Sequence, residues 1–172
     1  MNFSQYLRQI PDYPKPGILF EDITTLLNNA EAFHAAIDAI AAHYKHKGIT
    51  KVVAIEARGF ILGAAVAYAL QVAFVPIRKK GKLPWKTYAI EYDLEYSKDT
   101  IEIHQDALSP ADKVLIVDDI LATGGTAKAT LDLVKQFGIS EKNIDLTFLL
   151  DIKDVPGPAK DALKQHGYFV LI

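Results

Sequence analysis

Short apolar runs alternate along this chain with longer stretches of helical period, and that alternation restricts the available folds more than any other feature. The runs are KVVAI from Lys51, VAFVPI from Val72, VLIVD from Val114, IDLTFLL from Ile144 and YFVLI from Tyr168. Continuous apolar character suits strands covered on both faces, not strands with one face in water. Ahead of the first run, Phe33, Ala36, Ile37, Ile40, Ala41 and Tyr44 recur at three- and four-residue steps, with Gly48 as a stop. FILGAAVAYAL, the residues after ATGGT as far as about Phe137, and Ala159 to Gln165 read as further helices. Strands alternating with helices predict an α/β fold, a mostly parallel central sheet with helices on both faces. Such sheets take ligands off the carboxyl ends of their strands, so IEARG and VDDILATGGT are expected on one edge.

At 172 residues, half of them hydrophobic, the chain is expected to form one domain with a sizeable core. A net charge of −2 gives no overall basic field for nucleic acid. The absence of cysteine excludes disulfides, thiolate catalysis and thiolate metal sites. The longest apolar stretch, residues 60–70, falls far short of the roughly 20 residues a membrane span needs. MNFSQYLRQIPDY lacks the apolar centre of a signal peptide, so the expectation is a soluble, cytoplasmic protein with no membrane or nucleic-acid partner. His34, His43, His46, His104 and His166 show no metal-ligand spacing, and no GxSxG elbow marks a serine hydrolase.

Chemistry concentrates in VLIVDDILATGGT. A loop between a strand and a helix points main-chain N–H groups outward at the positive end of the helix dipole. Gly124 and Gly125 permit close approach of an oxyanion, and Thr123 and Thr126 add hydroxyl donors; with Ala122 they form a phosphate cradle. The lysine of GxxxxGK[ST] is missing, which favours a terminal monophosphate over a triphosphate. Asp118 and Asp119 then read as acceptors for two neighbouring sugar hydroxyls, aided by a divalent cation. A strand ending in Asp before an ordinary turn would explain either half alone; the whole string favours a sugar phosphate. EARGF offers a second anion site, where Arg58 precedes a helix N-terminus. From Arg78 the texture turns polar and aromatic, with basic RKKGK at the start and an alternating part that IEIH can pair with as a hairpin.

VLIVDDILATGGT resembles the signature of the type I phosphoribosyltransferases. PDYPKPGILFEDITTLL, IEARGFILG and PIRKKGKLPWKTYAIEYDLEYSKDTIEIH are similar to the adenine-specific branch of that family, in the family's order and over most of the chain. The resemblance implies transfer of the phosphoribosyl group from 5-phosphoribosyl-1-pyrophosphate to adenine, giving AMP and pyrophosphate. It places ribose and its 5-phosphate on Asp118, Asp119 and Ala122 to Thr126. Pyrophosphate would fall to Glu56, Ala57, Arg58, Arg78, Lys79 and Lys82, with a cis peptide at Glu56–Ala57. Glu95 and Tyr96 would sit on a flexible catalytic loop within residues 78–104, Glu95 moving the proton. Residues 1–30 would form a hood over the purine, with Phe20 on the ring and the main chain of Leu19 and Glu21 reading its edge. Glu21 departs from the family, which often carries a basic residue there. Magnesium would arrive with the substrate, touching Asp118 and Asp119 indirectly, and the protein would be a homodimer. Another purine base, or a non-enzymatic sensor of the same sugar phosphate, remains open at this point.

Overall fold

The structure is a computed structural model that describes residues 1–93, 98–153 and 155–172. Its elements run β1 (Arg8–Pro11), β2 (Leu19–Asp22), α1 (Thr24–Leu27), α2 (Ala30–Tyr44), β3 (Lys51–Ile55), α3 (Arg58–Leu70) and β4 (Ala73–Lys79). There follow β5 (Thr87–Asp93), β6 (Lys98–His104), β7 (Val114–Leu121), α4 (Gly125–Lys135), β8 (Ile144–Asp151), α5 (Pro158–His166) and β9 (Phe169–Val170). Seven strands form one sheet in the order β5-β6-β4-β3-β7-β8-β9. From β4 to β9 every pairing is parallel, while β5 and β6 form an antiparallel hairpin joined to β4 through Arg78↔Glu102 and Lys79↔Ile101. The mostly parallel sheet expected from the alternating runs is present.

Strand alternation divides the core in two. Val53, Ile55, Val75, Ile77, Ile116 and Phe148 point to the layer that holds α4 and α5. Val52, Ala54, Leu115, Val117 and Leu149 point to the other, packed by α2 and α3. At about 25 cal/mol per Å² of apolar surface removed from water, such double coverage is the main stabilising term. The Asn29 side chain accepts from the Ala32 amide at 2.9 Å and so caps α2. Tyr44, buried near the end of that helix, ties it to β8 by donating to the Leu146 carbonyl at 2.9 Å.

Three expectations need correction. VLIVD does not end at the aspartates: β7 continues to Leu121, because main-chain pairing with Phe148, Leu150 and Asp151 of β8 carries the strand past two residues of low strand propensity. The helix after EARG begins at Arg58 instead of Phe60. YFVLI is laddered only at Phe169 and Val170. At the other end of the chain, residues 8–22 form a separate two-stranded antiparallel hairpin. Its turn holds Asp12 at φ 55° and a cis Tyr13–Pro14 bond, and Asp12 Oδ1 accepts the Gly17 amide at 2.7 Å.

Candidate active site

Because β3, β4, β7 and β8 run parallel, their carboxyl ends lie on one edge and bring Glu56, Lys79, Leu121 and Asp151 together. Gly124 caps α4 at φ 83°, and no side chain caps that helix. Its first amides therefore have no intrahelical acceptor and open into a recess of about 80 Å³. All five residues of the expected cradle, Ala122, Thr123, Gly124, Gly125 and Thr126, line this recess, which has the dimensions of a single phosphoryl group. Gly124 is irreplaceable on two grounds: its φ is left-handed, and a Cβ there would meet the Lys160 main chain at 2.8 Å.

A second cavity, of about 450 Å³, adjoins the recess and shares Asp118, Ile120 and Thr126 with it. Ile55, Glu56, Ala57, Arg58, Lys79, Tyr92, Asp99 and Asp119 complete its wall. The Glu56–Ala57 peptide is cis, as the family resemblance implies. Asp118 Oδ1 accepts the Asp119 amide at 2.9 Å, and Asp119 Oδ2 stands 2.5 Å from Arg58 Nε. Burial, and then the charge of Asp119, push the Asp118 carboxyl well above its ordinary value. Gly59 sits against this carboxylate so closely that a Cβ would fall 2.7 Å from Asp118 Oδ1.

The cations expected to hold pyrophosphate are all near this cavity, and each already has a carboxylate partner. Arg58 pairs with Asp119; Lys79 pairs with Asp99 at 3.0 Å; Arg78 and Lys82 converge on Glu56 Oε1 at 3.4 and 2.5 Å. Glu56 Oε2 also accepts the Lys79 amide at 2.9 Å, so this carboxylate organises the basic segment that follows β4. Burial raises its carboxyl, but hydrogen bonds from Lys82, the Lys79 amide and Arg78 outweigh that and hold it down to about 2. Glu102 supports the same segment from β6, accepting the Gly81 amide at 3.0 Å.

Between the N-terminal hairpin and the end of β8 lies a groove of about 560 Å³. Leu19 and Glu21 line one side with Gly17 and Ile18, and Leu150 to Lys153 line the other. Phe20 does not line it; its ring packs edge-on against Tyr13 with centroids 5.1 Å apart. Glu95 and Tyr96 lie outside the described residues.

Sequence reasoning missed Tyr92. Its ring forms part of the 450 Å³ cavity, its phenol oxygen accepts the Thr126 hydroxyl at 3.3 Å, and burial raises its pKa. The alternation of TYAIEYD was visible, but which tyrosine met α4 depends on hairpin register. A larger cavity, about 760 Å³, lies at the opposite, amino-terminal edge of β8. Its lining includes Lys135 in the last turn of α4, Lys47 just past the end of α2, Lys142 ahead of β8 and Lys128 from the first turn of α4. Lys47 and Lys135 complement the negative ends of helix dipoles, Lys135 is already 2.5 Å from Glu141, and Lys128 is 2.5 Å from Asp132. It shares no residue with the glycine cradle or the aspartates.

A sequence profile of the phosphoribosyl transferase domain matches residues 22–154. The chain is 50% identical over 172 residues to the adenine phosphoribosyltransferase of Symbiobacterium thermophilum, covering all of this chain and 99% of the relative. Among solved structures, it is similar to the Giardia lamblia APRTase complexed with 9-deazaadenine, at 40% identity and a TM-score of 0.92 over 99% of this chain and 95% of that one. It also resembles the Saccharomyces cerevisiae adenine phosphoribosyltransferase complexed with an imino-altritol bisphosphate and adenine, at 35% identity and a TM-score of 0.87, covering 99% of this chain and 98% of that one.

Proposed function

This chain belongs to the phosphoribosyl transferase family, and from that premise we infer that it transfers the 5-phosphoribosyl group of 5-phosphoribosyl-1-pyrophosphate to adenine, forming AMP and pyrophosphate. The observation that carries the assignment of residues is the continuity of recess and cavity through Asp118 and Thr126. One elongated ligand can hold a phosphate in the uncharged cradle and a diphosphate among Arg58, Arg78, Lys79 and Lys82. Asp118 and Asp119 then receive the ribose hydroxyls between these ends. Adenine enters the groove under the 1–30 hood, where Leu19 and Glu21 offer main-chain donors and acceptors; Phe20, packed on Tyr13 outside the groove, reaches the ring only by turning its side chain.

In the transfer, adenine N9 forms a bond to the anomeric carbon while the bond from that carbon to the pyrophosphate oxygen breaks. The electron pair leaves with pyrophosphate, and the proton of the purine imidazole ring passes to the Glu95 carboxylate. The protein's part is positioning and electrostatics: guanidinium and ammonium groups stand where leaving-group charge develops, and the family resemblance assigns Glu95 and Tyr96 to catalysis. Asp118 and Asp119, both facing the cavity, are hard oxygen donors of the kind Mg²⁺ accepts when most of its ligands come from substrate and water. Bound there with the substrate, Mg²⁺ would supply charge neutralisation at the diphosphate. Exposed Ile61 and Tyr68, seven residues apart on α3, and Phe74 of β4 support a homodimer through that face. A single domain acting in the cytoplasm fits the same reading; no helix among the described residues is long and apolar enough to cross a membrane.

The test is turnover with adenine, hypoxanthine, guanine and xanthine in parallel, with magnesium and 5-phosphoribosyl-1-pyrophosphate. Adenine alone should release pyrophosphate at an enzymatic rate; equal rates with a 6-oxopurine would reassign the base. Replacing Glu95 with Gln should lower kcat by about 100-fold and leave binding of the phosphoribosyl donor within about twofold. An unchanged kcat removes Glu95 from proton transfer.

A further inference from the structure

We propose that the buried Lys160–Asp151 ion pair is a strut that sets the spacing between the phosphate recess and the base groove, making both residues positioning residues for the transfer. The proposal rests on the reading of the site given above. Lys160 is only 2% exposed. Its ammonium stands 2.6 Å from Asp151 Oδ1 and donates to the Ile152 carbonyl at 2.5 Å, while Asp151 Oδ2 accepts the Tyr168 hydroxyl at 3.1 Å.

The two ends of Lys160 meet different parts of the site. Its main-chain amide donates to the Thr123 carbonyl at 3.1 Å, inside the cradle. The first turn of α5 presses against that loop so tightly that a Cβ on Gly124 would lie 2.8 Å from Lys160 N, and one on Gly157 2.8 Å from the Thr123 oxygen. The side chain runs the other way, to Asp151 and Ile152, which form the β8 wall of the groove facing Leu19 and Glu21. A single residue thus holds the back of the phosphate recess with its backbone and the wall of the base groove with its ammonium.

Stability alone does not account for such a pair. Removing two charges from water costs about as much as their attraction returns, and well-packed apolar residues often replace a buried pair without loss. What apolar residues lack is a fixed, directional span: the short contacts to Asp151 and Ile152 set where the end of β8 stands relative to Thr123. A nucleotide monophosphate must fill recess and groove at once, and so reads that distance; its separate halves do not.

The experiment measures binding of AMP, ribose 5-phosphate and adenine by calorimetry to wild type, to Lys160→Met combined with Asp151→Asn, and to Lys160→Arg. The double variant removes both charges, keeps the volume and leaves Tyr168 an acceptor. AMP should bind it about 10- to 100-fold more weakly, as expected for a misplacement on the scale of 1 Å. Ribose 5-phosphate and adenine should each change by no more than about twofold. Lys160→Arg, which keeps a long cation, should recover most of the AMP affinity. If the double variant does not fold, Lys160→Gln carries the same comparison, since it keeps a donor for Ile152. Equal weakening of AMP and ribose 5-phosphate would overturn the strut, because the damage would then be local to the recess. Wild-type AMP affinity in the double variant would overturn it too, leaving the functional reading intact. A wild-type chain that binds no AMP would overturn that reading, and the strut with it.

Discussion

The two anion sites on the carboxyl edge of the sheet solve one problem by opposite means. The cradle after β7 is built from consecutive residues and carries no charge of its own; it offers helix amides, two hydroxyls and a left-handed glycine. The site formed by the loops after β3 and β4 is built from residues far apart and is densely charged, each cation held by a carboxylate from another element. A rigid backbone site fixes position; a site of exchanging ion pairs supplies charge that can be redirected. The first suits a phosphate that stays bound through the reaction, and the second a diphosphate that must leave.

The largest test of that difference is Gly124→Ala. A left-handed residue with a Cβ 2.8 Å from the Lys160 main chain cannot keep the loop where it is. Ribose 5-phosphate binding and kcat/KM should each fall by about 100-fold or more, with pyrophosphate binding affected far less. Arg58→Ala should show the reverse. Pyrophosphate inhibition should weaken by about 10- to 100-fold, the range for a hydrogen bond to a charged group, while ribose 5-phosphate changes about twofold. Equal losses of both ligands in either variant would mean that the two loops act as one unit. Raising NaCl from about 50 to about 300 mM should weaken pyrophosphate several-fold more than ribose 5-phosphate, because partly exposed ion pairs are screened.

The smallest effect concerns pH. The Glu56 carboxyl is held down to about 2 in the folded chain against an ordinary 4.5. Its pairing therefore contributes stability that is fully present above about 4.5 and is lost as the pH falls through about 2. Urea midpoints measured from pH 5 to 2 should fall less steeply in Glu56→Gln than in wild type. Parallel slopes would show that Lys82 and Arg78 do not hold this carboxylate in solution.

Legibility in the sequence followed the same division. The cradle could be read because every residue it needs is contiguous, and the sheet because continuous apolar runs leave few other arrangements. The ion pairs could not be read: Glu56 with Lys82, or Asp119 with Arg58, are matches chosen by strand order among 21 acidic and 19 basic residues. The resemblance groups Glu56 and Ala57 with Arg58, Arg78, Lys79 and Lys82 around pyrophosphate but says nothing of the ion pairs that join them. Asp118 and Asp119 are expected at the tip of a strand that in fact runs on through them to Leu121, since ladder pairing with β8 overrides local preference. The N-terminal hairpin escaped because Arg8–Pro11 has neither alternation nor apolar content to mark it. Lys160 read as one more charge on a short helix, and only the packing of α5 against the cradle reveals that it is buried.

The prior pairing of the cations has a consequence for which anions the site accepts. Glu56, Asp99 and Asp119 act as tethered competitors, each presented to its cation at an effective concentration that a dilute free anion cannot match. Free phosphate meeting the cations alone is therefore at a disadvantage. A ligand already anchored in the cradle brings its second anionic end to the same cations by an equally intramolecular route, and so competes on equal terms. The chain's own carboxylates thus favour a ligand attached at both ends over an anion that meets the cations alone.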